Sequence, residues 1–425
     1  MSCYQDMSRK KITVVLRMSL LQLLFGLLGA PWSPAGAQSG AEHHVIRSEI
    51  DGVPLVRTEG APQHTGPLFE VELDLVIGRE SGEPEWQIFW ASPDILMAPD
   101  GRMVLIEPRR CEVYILSPQG ELLVRTGGSG SGPGEYRQPW FTYWDVTGEV
   151  VLIDDRALNR ATRLSLTGEV LDTVNYGLVS DRAWRYFLPQ GNGSYLGYDM
   201  DAARSGVTAR PHETQKTYCF LDEEFTVIRE FMELRYESDF ATSEYTGAPI
   251  PFARWPDIVP FPDGKLLLFD PEAGRLTVMS SEGEPQLHIE REWERPRVSS
   301  ADREEARRYY TENDQAYLRR IAKRIPFPDR YPAFSRAFPD AEGRIWVEYV
   351  LGPTPAGRTD RYLKYDVFSS EGVWLGVQEF DFYPAVIGGG CVYHRGALVE
   401  DEGPRIQRFR LKPLAPGFKW KDDRE

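Results

Sequence analysis

The sequence predicts an all-β fold: a six-bladed β-propeller with four-stranded antiparallel blades and one inserted amphipathic helix at about 300–324. Three observations predict it. A turn leading into an apolar strand that ends on a carboxylate recurs six times. A Gly-Glu pair follows three of those acids at one fixed distance. From about residue 68 the chain is a series of short apolar or alternating runs split by Gly-containing turns, the mark of many short strands.

The repeating unit is clearest where Pro99-Asp100-Gly101 leads into the strand Met103 to Ile106 and ends on Glu107. It returns as Gly148 to Asp154-Asp155, as Asp263-Gly264 to Asp270, and as Gly343 to Glu348. Weaker copies run from Gly193 to Asp199 and from Gly396 to Glu400. The second punctuation is Gly120-Glu121, Gly168-Glu169 and Gly283-Glu284, each 13 residues after its acid, with a strand before and after the glycine. Each unit thus reads as an inner strand followed by three strands joined by tight turns, a propeller blade. Gly101 to Gly148 is 47 residues, a normal blade length. Gly193 to Gly264 is 71 and Gly264 to Gly343 is 79, so later blades carry loop insertions. Phe69 to Ile77 precedes the first inner strand and is expected as the outer strand of the sixth blade, closing the ring. Closure removes sheet edges that would template aggregation.

The insertion at 300–324 has helical periodicity. Ser299 or Ser300 can cap it, Asp302, Glu304 and Glu305 fill its first turn, and Pro326 and Pro328 follow it.

Residues 1–37 read as a signal peptide. Arg9, Lys10, Lys11 and Arg17 precede an apolar run ending at Ala30, and Ala35-Gly36-Ala37 is a small-x-small cleavage pattern. Cleavage after Ala37 would send the protein to the periplasm or beyond it. The apolar run is short for a bilayer span, so no stable membrane span is expected after cleavage. Residues 38–67 are expected as a linker, 68–412 as the propeller, and 413–425 as a polar tail.

The formal charge is −15, and the leader holds four basic residues against Asp6, a net +3, which leaves −18 on the rest. That balance excludes a nucleic-acid partner, because phosphate backbones need neutralising Lys and Arg. A monomer is expected. Beyond Cys3 in the leader, Cys111, Cys219 and Cys391 are an odd set without zinc spacing and read as buried small hydrophobes.

Gly127 to Tyr136 (GGSGSGPGEY) resembles the link between blades in the bacterial six-bladed β-propeller family of exported proteins related to NHL-repeat propellers. A degraded copy stands at Ile77 to Trp86, and Asp270 to Leu276 and Pro332 to Val347 carry further likeness. The resemblance spans about 68–412. It implies fold and export, and no reaction.

No catalytic motif survives. The Gly-rich 127–134 segment lacks the Gly-Lys-Ser/Thr of a P-loop, and Glu135 would repel phosphate, so it reads as a blade linker. The recurrent acids Glu107, Asp154, Asp155, Asp199, Asp270, Glu348 and Glu400 point to six places around a ring. They are expected to accept backbone N–H bonds in the following turns. Calcium at Asp154-Asp155 is the secondary reading, and no other cofactor is expected. The loops entering the inner strands carry Arg and aromatics. Arg137, Trp140, Arg185, Arg254, Trp255 and Arg336 are the candidate ligand-binding set, with Trp86, Tyr136, Trp184 and Phe334 beside them. Such a mouth suits an anionic or sugar-like small ligand or a protein partner. The expected function is therefore a ligand-binding or protein-interaction module. The alternative is a metal-dependent hydrolase or lyase at the channel mouth.

Overall fold

The computed structural model describes residues 42–418, apart from 79–93, 99, 145–148, 177–183, 191–193, 202–212, 238–239, 244–245, 250–251, 253, 313–318, 320–321, 323–324, 350–362, 397–404 and 417. The leader at 1–37 lies outside these residues.

The chain begins with β1 (His43–Ile50), β2 (Val53–Gly60) and β3 (Phe69–Gly78). Blade one then runs β4 (Asp94–Met97), β5 (Met103–Glu107), β6 (Glu112–Leu116) and β7 (Leu122–Gly127). Blade two is β8 (Pro139–Trp144), β9 (Val150–Asp155), β10 (Arg160–Ser165) and β11 (Val170–Val174). Blade three is β12 (Trp184–Pro189), β13 (Tyr195–Asp201), β14 (Glu213–Leu221) and β15 (Val227–Glu237). A small hairpin of β16 (Phe240–Ser243) and β17 (Thr246–Pro249) follows. Blade four is β18 (Asp257–Pro260), β19 (Leu266–Asp270), β20 (Arg275–Met279) and β21 (Pro285–Arg291). Blade five is β22 (Arg336–Pro339), β23 (Ile345–Glu348), β24 (Leu363–Phe368) and β25 (Trp374–Phe380). Blade six combines β26 (Pro384–Gly388), β27 (Cys391–Gly396) and β28 (Arg405–Pro413) with β3, so the N-terminal strand does close the ring.

The inner strands abut in the order β4, β8, β12, β18, β22, and β26 returns to β4. Six apolar clusters fill the seams between neighbouring blades. This explains the unbroken apolar runs of the sequence. A strand such as Met103–Glu107 is buried on both faces, because each face meets a different blade.

The outer-turn glycines serve the same seams. Gly168 has φ +85°, and a Cβ there would stand 2.4 Å from Val124 of the preceding blade. Blade three lacks the glycine, and Phe225 takes the left-handed turn position with φ +62°. Its ring is fully buried beside Phe187, Tyr176 and Tyr195, so packing offsets the backbone cost.

Three segments differ from the sequence expectation. The stretch read as a linker contains the β1–β2 hairpin, turned by Asp51-Gly52, both at positive φ. β2 lies parallel to β21, so blade four grows to six strands. The described helix, α1 (Ser300–Thr311), is shorter than 300–324, and most of 313–324 lies outside the described residues. Ser299 caps it in a capping box with Asp302. The tail does not start as a free polar segment. Leu414 N–H donates to Leu68 O at 2.9 Å, and Phe418 packs edge-on against Phe69.

The closing seam is charge-matched. Asp74 on β3 accepts from Arg408 Nε and Nη2, both at 3.0 Å, and from Arg410 Nε at 2.7 Å. Lys412 pairs with Glu72. Arg408 Nη1 also reaches Pro118 O in blade one at 2.6 Å. Burial pulls the Asp74 carboxyl up, but the two arginines outweigh it and hold it below the ordinary carboxylate value. A depressed folded-state pKa means stability that is present above about pH 4 and lost as pH falls toward the folded value. Asp74→Asn should therefore cost about 1–2 kcal/mol at neutral pH. The gap to the parent protein should close on acidification, as read from urea melts across pH. Phe225→Gly should relieve backbone strain yet still destabilise by about 2–4 kcal/mol, because the lost ring dominates. The same melts would show it.

Candidate functional site

In each blade the loop entering the inner strand and the turn after the second strand lie at the same end. Among the described residues, the strand-end acids Glu107, Asp155, Asp270 and Glu348 therefore lie at the same end as the entry-loop residues Arg137, Arg254, Trp255 and Arg336.

The acids act first as scaffold. Asp155 is fully buried and accepts four backbone N–H groups. Arg137 and Gln138 donate at 2.7 and 3.1 Å, and Ala157 and Leu158 at 3.1 and 3.2 Å. It thereby ties the entry of β8 to the β9–β10 turn. Asp154 accepts from Tyr176 OH at 2.7 Å and lies 3.5 Å from Arg156 Nε. Burial pushes its carboxyl up, with those partners pulling against it. Asp270 accepts from Glu272 and Ala273 N–H, and Glu107 from Arg109 N–H. Glu348 takes Arg336 Nε at 2.6 Å. Asp199 is half-buried within β13, which runs on to Asp201, and Glu400 lies outside the described residues. Among the described residues no three His, Cys, Asp or Glu side chains gather as a metal set. Cys111, Cys219 and Cys391 are free thiols.

The Gly-rich link also closes on itself. Glu135 accepts the N–H groups of Ser131 and Gly132 at 2.9 and 2.8 Å, and Arg160 donates to Ser131 O at 2.9 Å and to Gly132 O at 3.3 Å. The anion that such a nest attracts is the chain's own carboxylate.

Of the candidate binding residues, three join one chain of contacts. Trp255 stacks on Tyr236 with ring centroids 6.4 Å apart. Its neighbour Arg254 donates from Nε to Ser335 Oγ at 2.9 Å, across to blade five. The next residue, Arg336, lies over the rings of Phe338 and Tyr383, at 5.5 and 5.6 Å. Tyr383 is exposed and belongs to the loop entering blade six. Arg137 is exposed on blade two, apart from this arc. Trp140 and Arg185 lie on β8 and β12, but their side chains, and all of Trp86, are outside the described set. Tyr136 and Phe334 are core residues of their seams, not face residues. Burial pushes the Tyr136 phenol up to about 12.

Two buried charge clusters escaped the sequence. Lys216, 1% exposed, places Nζ 3.0 Å from Asp257 Oδ2, and Tyr218 OH donates to the same carboxylate. The rings of Tyr198, Trp255 and Tyr236 surround the ammonium at 4.6, 5.6 and 5.8 Å. In the next seam, Arg291 Nε lies 2.9 Å from the buried Asp366, which also accepts from Trp293 and Tyr349. Trp374 lies 4.1 Å from that guanidinium. A lone Lys or Asp in a strand gives no sequence sign of a partner in another blade. The helix α1 completes the face. Its Ala306 packs with Phe252 and Tyr331, from the loops entering blades four and five.

Comparison with known proteins agrees with this fold. Residues 92–247 match the model of a family described as a 6-bladed β-propeller. This chain is a six-bladed β-propeller. A candidate exported protein from Bacteroides fragilis is similar at 12% identity, over 84% of this chain and 99% of that one, with a TM-score of 0.50. A member of the DUF4221 family from Bacteroides vulgatus is similar at 10% identity, over 81% and 98%, also with a TM-score of 0.50. Virginiamycin B lyase from Staphylococcus aureus aligns at 12% identity over 80% of this chain and all of its own, with a TM-score of 0.39. The two Bacteroides likenesses show the fold alone. No curated protein matches the sequence.

Asp155→Ala would strand four N–H donors and should cost about 3 kcal/mol in urea melts. A scaffold acid loses that stability with or without calcium. A calcium ligand would lose it only when calcium is present.

Proposed function

We propose that this propeller is an exported binding module whose entry-loop face takes an anionic or hydroxyl-rich small ligand. The observation that carries the reading is the arc from Trp255 and Arg254 through Ser335 to Arg336 and Tyr383. It joins the loops entering blades four, five and six. Arginine held against aromatic faces is suited to planar anions and to sugar faces, and here it stands out on an acidic chain. Asp155 is tied to backbone N–H donors and does not compete for such a ligand, whereas Glu348 already holds Arg336 Nε at 2.6 Å, so an anion would share that guanidinium with it.

Export rests on the leader at 1–37. No described helix is long and apolar enough to cross a membrane. Asp154, Asp155 and Glu348 already serve other donors, which weighs against a metal-dependent hydrolase or lyase at this face.

The test is a thermal-shift screen of residues 38–425 against organic acids, sugars and divalent metals. A ligand bound only by the folded state raises Tm. Organic acids or sugars should raise it, and Arg254→Ala with Tyr383→Ala, both in the arc, should abolish the rise without moving the ligand-free Tm by more than a few degrees. A response to divalent metal alone would overturn the reading. When the full chain is expressed with its leader, the mature protein should begin at Gln38.

A further inference from the structure

The outer edges of the blades are not alike. β7, β11, β15, β25 and β3 each join their neighbour through a register break. Breaks of this kind twist an edge away from further pairing. Blade four instead ends in β1, paired with β2 over eight residues without a break. Among the described residues nothing pairs with its other side.

The hydrogen-bond parity of that edge follows from the hairpin. A two-residue turn makes Ile50 and Val53 a hydrogen-bonded pair, so even-numbered residues of β1 bond inward to β2. Glu42 O, which accepts Ala61 N–H, continues the same parity. Val45, Arg47 and Glu49 therefore turn their N–H and C=O groups outward, away from β2.

The strand sequence across that edge is close to a palindrome: Ile46, Arg47, Ser48, Glu49, Ile50. An antiparallel copy centred on Ser48 puts Arg47 opposite Glu49 of the second copy, and Glu49 opposite Arg47. Ile46, 42% exposed, falls opposite Ile50, and Ser48 falls opposite itself. This register also places the outward-facing groups of both strands in bonding pairs. The register one residue earlier would set Arg47 against Arg47. We infer that β1 is a self-recognition edge and that two copies of the protein pair through it, antiparallel about Ser48, into a continuous sheet across two fourth blades.

This departs from the monomer expected from the sequence. The contact is one strand wide, smaller than that of a permanent dimer, so association is concentration-dependent. It involves neither the entry-loop face nor its ligand.

Sedimentation of residues 38–425 up to about 0.5 mM should show a reversible monomer–dimer equilibrium. Arg47→Glu places like charges together twice and should weaken the dimer about tenfold or more. The double swap R47E/E49R restores both pairs and should restore dimerisation. Ser48→Cys should give a covalent dimer on oxidation, because a non-hydrogen-bonded antiparallel pair brings Cα atoms to about 4.5 Å. Glu49→Cys, which faces Arg47 and not itself, should not. A parent protein that stays monomeric throughout, a double swap that fails to recover the dimer, or equal cross-linking at both cysteine positions would overturn the proposal.

Discussion

Everything in this molecule depends on joining residue 69 to residue 413. A ring of blades has no internal reason to stop or to hold, and the last seam must be fastened by strands from opposite ends of the chain. Here the fastening is β3 against β28, nine paired positions with the acids of one strand set against the bases of the other. Asp74 gathers two arginines, and one of them reaches on to blade one. The seam thus links the sixth blade to its own outer strand and to the next blade at once. The apolar filling of the seams supplies the bulk of the attraction, and the charged ladder selects the register.

The same division of labour recurs around the ring. Apolar strands are buried on both faces, so blade-to-blade contact makes up most of the core. Into this core the fold admits a few charges, each matched by a partner from a neighbouring element. Lys216 meets Asp257 between blades three and four, and Arg291 meets Asp366 between four and five. Breaking such a pair leaves a buried charge alone, which costs far more than the pair contributes.

Much of this was legible in the sequence, and for a physical reason. Turn glycines and strand-end acids answer local demands: a left-handed backbone at Gly168, N–H donors awaiting Asp155. Local demands repeat with the blade, so the period exposes them. Ring closure by Phe69 to Ile77 followed from counting strands. The hairpin of β1 and β2 left a signal too, Asp51-Gly52 between alternating residues, but it precedes the repeat and pairs in parallel with a strand over two hundred residues away. The candidate face was legible only as a list of Arg and aromatic residues at loop positions. Its Lys216 and Asp257 partners, and the burial of Tyr136 and Phe334, depend on which blade faces which side chain. No spacing encodes that.

The velcro-like closure has a consequence for how the protein comes into being. A polypeptide is made from its N-terminus. β3 is therefore present early and stays unpaired with β28 until the last blade has followed. For that interval it is an open apolar strand with acids along it, Glu70, Glu72 and Asp74, beside other chains in the same state. Those like charges keep waiting copies from pairing with each other. The strand they do accept is the basic one, Arg408, Arg410 and Lys412, which is made last. The seam that holds the finished ring is thus also a timer, completing the fold only when the final blade is present.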